Sequence, residues 1–145
     1  MIVLGFDPPM ARHGICGVIV LRRVSEERIE SVCDYTQHCI GPRHWGGLIA
    51  DVSERQRVEK IAYLAGPCGD LPRAVLLSVM GEHRPAITSV HCKRREHLER
   101  ATAMVADGKI DLRLTGRLHE DIDTGKALDQ SRVDAFLAAL AGLLT

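Results

Sequence analysis

The chain has no net charge, its 19 Lys and Arg being balanced by 19 Asp and Glu. That balance withholds the simplest argument for nucleic-acid binding, since any such surface must come from basic residues gathered on one face. A Cys-x-x-Cys pair is also missing. The five cysteines, Cys16, Cys33, Cys39, Cys68 and Cys92, form an odd set, so neither a disulfide framework nor a zinc ribbon is supported and reduced thiols are expected. No apolar run reaches the roughly 18–20 residues of a membrane span, and no basic flank leads into a signal-peptide core. The expectation is a cytoplasmic protein without membrane association. Repeats, low-complexity tracts and linkers are absent as well. What remains is 145 residues, 46% apolar and 26% charged, which predicts one compact domain over residues 1–145 with one core and one site.

The local patterns predict an α/β order. Met1, Ile2, Val3, Leu4, Gly5 and Phe6 make a continuous apolar run ending at Asp7, as in a strand buried on both faces. Pro8 and Pro9 stop it, and residues 15–21 form a second β-rich run. Residues 28–35 alternate polar and apolar, completing an antiparallel meander with one wet face. Residues 37–47, rich in Gly and Pro and carrying the only tryptophan, Trp45, read as a loop. A helical stripe of Ile49, Val52, Val58, Ile61 and Leu64 follows, closed by Gly66 and Pro67. Residues 73–80 and 86–91 read as strands, 93–106 as a helix ended by Asp107 and Gly108, 116–125 as a loop and 131–144 as an apolar helix. The fold class expected is a mixed sheet, its first three strands antiparallel and its later ones parallel, flanked by helices.

The opening segment puts Asp7 at the end of a central strand, followed by Pro8, a turn and Gly14. This resembles the first motif of the RNase H-like superfamily, especially RuvC-type resolvases and related nucleases. The segment Asp134-Ala135-Phe136-Leu137-Ala138-Ala139-Leu140 is similar to the acidic start of their last helix. The likeness covers the first 23 and last 15 residues, and the order of elements supports it between them. It implies an RNase H-like fold and metal-dependent hydrolysis of phosphodiester bonds in structured or branched DNA or RNA. Hydrolysis by two metal ions needs several carboxylates around one opening, and oxygen ligands suit Mg²⁺ or Mn²⁺. Asp7 and Asp134 are the ligands implied, Asp129 a further metal ligand, and Glu82 a third catalytic candidate because it follows the run 73–80, which holds Ser78 but no acid. A homodimer is implied by the same resemblance.

Three features favour the rival expectation, a non-catalytic module of the same fold used for assembly or nucleic-acid binding. Pro9 stands where the motif has glycine, Ser78 stands at the interior position of the run taken as the fourth strand, and the overall charge is neutral; at the spacing of a fourth carboxylate, Ser131 stands three residues before Asp134 and Asp129 five before. Sugar-kinase-like nucleotide binding shares the first motif but needs two lobes, more than this chain supplies. Each candidate also has a plainer role. Ser131-x-x-Asp134 is a capping-box pattern, Asp7 before Pro8 suits an Asx turn, and Glu82 suits a solvated loop. Lys93, Arg94 and Arg95 form a basic cluster that would meet phosphates, with Trp45 beside Arg43 and His44 offering a stacking contact; a solvated helix face is the alternative. The pairs His38-Cys39 and His91-Cys92 lack zinc spacing, and Cys68 lacks an activating base.

Overall fold

A computed structural model describes residues 1–9, 13–91, 93–111 and 130–145. Six strands form one sheet: β1 (Ile2–Asp7), β2 (His13–Ser25), β3 (Arg28–Ile40), β4 (Lys60–Leu64), β5 (Ala86–Val90) and β6 (Ile110–Asp111). Their order is β5-β4-β1-β2-β3-β6, with β1, β2 and β3 antiparallel in succession and β4, β5 and β6 each parallel to the neighbour they join. Four helices complete the described elements: α1 (Gly41–Arg55), α2 (Leu71–Val79), α3 (Arg94–Ala106) and α4 (Gln130–Leu144). The mixed sheet expected from the sequence is thus observed. None of these helices is long and apolar enough to cross a membrane.

Alternation along the strands sends side chains to two cores. On one face Leu4, Phe6, Val18 and Val20 pack with Trp45, Ile49 and Val52 of α1 and Leu76 of α2. On the other, Val3, Ile19, Leu21 and Ala62 pack with Phe136, Leu137, Ala139 and Leu140 of α4 and Ala101 of α3. The central strand β1 is therefore apolar at nearly every position, because both of its faces are covered.

Three local expectations are corrected. The predicted loop over 37–47 is the end of β3 and the start of α1. Gly41 turns the chain at φ +76°, and Pro42, whose fixed φ and missing N–H suit the first helical turn, begins a helix within the stretch expected to be a loop. The helical stripe taken to run to Leu64 ends at Arg55, and its last part is β4. Residues 73–80 are not a strand but lie mostly in α2, with Pro72 in the first turn, Leu76 buried and Leu77 exposed. The fourth strand is therefore residues 60–64, and this changes which residue lies beside Asp7.

Candidate functional site

Two glycines let α4 reach the sheet. A Cβ on Gly5 would collide with the Ala135 carbonyl and sit 2.6 Å from the Ala139 nitrogen; one on Gly17 would strike the Ser131 carbonyl and sit 2.8 Å from the Arg132 nitrogen. Gly17 is the residue paired with Asp7 across β1 and β2. The same close approach that buries the apolar side of α4 thus brings its first turns to the end of β1. Ser131 and Asp134, three apart, share one face of the helix there.

The Ser131 hydroxyl accepts a hydrogen bond from the Gly17 N–H at 2.8 Å. Its own proton can go to the Ile15 carbonyl at 3.2 Å or to the Asp7 carboxylate. Asp134 is ion-paired with Arg94 from the first turn of α3, through Nη1 and Oδ1. The capping-box reading of residues 131–134 is thereby replaced: serine hydroxyl and aspartate carboxylate both point into tertiary contacts.

Electrostatics couple these groups. Asp7 is pushed up to about 7, chiefly by burial and then by the Asp134 charge, while the Ser131 hydrogen bond and Arg94 pull it the other way. Burial also raises Asp134, against the pull of the Arg94 guanidinium. Below about pH 7, where Asp7 takes up its proton, one carboxylate faces one guanidinium.

The remaining predicted site residues fall elsewhere. Register pairs Val3 with Lys60 and Gly5 with Ala62, and two residues further on Leu64 comes level with Asp7. Leu64 packs into the α4-side core, so the strand beside β1 offers no carboxylate at its tip. Glu82, the third catalytic candidate, is exposed on the segment leading into β5; because β5 runs parallel to β4 and β1, it lies toward the end of the sheet opposite Asp7. Asp129 lies outside the described residues. Trp45 is only 2% exposed, with its ring 5.8 Å from that of Phe6, so it is core and not a stacking platform. His44 beside it accepts the Ile40 N–H at 3.0 Å through Nδ1 and helps begin α1.

Of the basic cluster, Arg94 turns inward to Asp134, while Lys93 and Arg95 remain exposed at the same helix start, near Glu96 and Glu99 respectively. Arg94 was read as a phosphate contact. Its role as the partner of Asp134 was missed, because the pairing depends on how two helices dock, and only the shared neighbourhood of opposite charges hinted at it.

Among the described residues, the donor set at the opening falls short of a two-metal centre. Asp7 and Asp134 are the carboxylates assembled at the opening, Leu64 and Ser131 flank them, and Arg94 already takes an oxygen of Asp134. Among the described residues, no group of three or more His, Cys, Asp or Glu side chains is arranged to hold a metal ion.

No protein-family model matches the chain, and no curated protein matches it. Solved structures do. Thermus thermophilus RuvC in complex with a Holliday junction substrate is 16% identical, with a TM-score of 0.59, covering 97% of this chain and 91% of that one. A second Thermus thermophilus RuvC structure is 14% identical, with a TM-score of 0.60 and coverage of 97% and 92%. The chain therefore has the RuvC-type RNase H-like fold, as the two ends of its sequence implied.

Proposed function

We propose that this chain is a RuvC-like module that binds structured nucleic acid without hydrolysing it. The observation that carries the reading is the makeup of the opening at the end of β1, two acidic residues with a leucine and a serine beside them and an arginine tied to one of the acids. Among the described residues, this group lacks the ring of carboxylates that two-metal hydrolysis requires. Binding is supported by the likeness to a protein solved on a Holliday junction and by Lys93 and Arg95, which present two exposed cations next to that opening.

A mobility-shift titration of a four-way DNA junction against a linear duplex of matching sequence, run with Mg²⁺ or Mn²⁺ and followed by denaturing electrophoresis, tests this. The junction should be retarded at lower protein concentration and its strands should stay intact. Strand cleavage that disappears in Asp7→Asn would overturn the proposal in favour of a Mg²⁺- or Mn²⁺-dependent nuclease. One observation favours that second reading, namely that Asp7 and Asp134 reach the same opening from opposite ends of the chain. Absence of both cleavage and junction binding would leave the fold serving protein assembly.

A further inference from the structure

Two half-buried acids drawn together by the packing of α4 on β1 need a counter-charge. Arg94 supplies it from a third element: its guanidinium pairs with Asp134 and also acts on Asp7. The pair is sheltered unevenly, since 18% of the Asp134 side chain is exposed against 41% for Arg94. The acid is fixed on the buried helix, and the arginine reaches in from solvent. A planar guanidinium donates to the carboxylate oxygens that an oxygen-seeking divalent ion would also take as ligands.

We infer that Arg94 is the resident cation of the Asp7 and Asp134 pair, held in the place a divalent ion would take and competing with it for the same oxygens. The chain carries this cation in its own sequence. The inference rests on the same donor set as the non-hydrolytic reading but fails separately from it. Junction cleavage bears on that reading, whereas metal affinity measured without nucleic acid bears on this one.

The test is calorimetric titration of Mn²⁺ into the full chain, metal-free, as the natural sequence and as Arg94→Gln, Arg94→Lys and Arg94→Gln with Asp134→Asn. Arg94→Gln should bind Mn²⁺ at least tenfold more tightly than the natural chain. The gain should vanish in the double variant and be absent in Arg94→Lys, which keeps the positive charge. Equal affinity in the natural chain and Arg94→Gln would overturn the inference, as would a gain that survives Asp134→Asn. If loss of the arginine lowers the melting temperature instead, recovery on adding Mn²⁺ supports the inference and failure to recover refutes it.

Discussion

Helices α4 and α3 cover the same face of the sheet in opposite ways. Residues 135–140 of α4 are all buried, and its backbone touches β1 and β2 where Gly5 and Gly17 make room. In α3 only Ala101 is buried, with Leu98, Met104 and Val105 partly so, and much of its surface is charged. Each helix delivers one charged residue to the opening, Asp134 from α4 and Arg94 from α3. The acid is positioned by packing, which tolerates no change of volume. The arginine is positioned by an ion pair at the start of a helix whose first turn has no fully buried residue. The difference teaches that the carboxylates belong to the rigid part of the fold, while the group that neutralises them sits on its looser margin.

The largest effects should come from the firm side. Trp45→Ala, which removes the ring packed on Phe6, should lower stability by about 3–5 kcal/mol in urea unfolding. Nucleic-acid affinity measured below the new transition should be unchanged. A selective loss of affinity would instead restore the stacking role that the burial of Trp45 denies. Next comes Gly5→Ala, expected to cost about 1–3 kcal/mol because the added methyl strikes backbone and not the tip of a flexible side chain. Gly17→Ala should behave similarly, and should also disturb the hydrogen bond from Gly17 to Ser131. If both alanine variants are neutral, α4 has more freedom than its contacts imply and the contrast with α3 weakens.

These contacts also show what a reader of the sequence could and could not see. The buried run ending at Asp7, the three-strand meander and the last helix were legible because length and periodicity agreed there. The assignments of residues 60–64 and 73–80 were reversed for a physical reason. Ile61 and Leu64 happen to continue a helical spacing, while Ala74, Val75, Leu76 and Leu77 are a short apolar run of the kind that suits a strand or a helix equally. That exchange hid Leu64 and directed attention to Ser78 and Glu82. Asp7 and Asp134 were singled out because the two ends of the chain resemble RNase H-like motifs, and the fold brings the two acids close enough to interact. Arg94 was visible as a basic residue, but its partner was not, since the contact joins residues 40 positions apart across two helices.

Acidity offers a smaller, more local probe of the same margin. Asp7 has a pKa raised from 3.8 to about 7 in the folded chain, so between those values the native state binds more protons than the unfolded state. Stability should therefore decline as pH rises from about 4 through 7, and Asp134, shifted in the same direction, adds to the slope. Asp7→Asn should flatten the profile over that window and be favoured most on its alkaline side. Urea midpoints collected from pH 4 to 8 decide it, and an unchanged slope in Asp7→Asn would mean that Asp7 does not carry the burial assigned to it.

The smallest effect on stability, and the most telling contrast with Arg94, belongs to Arg95. Its side chain is 93% exposed and lies 3.5 Å from Glu99 one turn along the helix, an arrangement that contributes a few tenths of a kcal/mol at most. Arg95→Ala should accordingly leave the urea midpoint within about 0.5 kcal/mol of the natural chain. Junction affinity should fall, and the slope of log affinity against log salt should lose about one unit if this cation neutralises one phosphate. Arg94→Gln should separate from it in both respects, losing more stability because Asp134 is left half-buried without its partner, and changing the salt slope less because the guanidinium already faces a carboxylate. Should the two variants behave alike, the inward arginine is as available to phosphate as the outward one, and the division between a fixed acidic pair and its resident cation does not hold in solution.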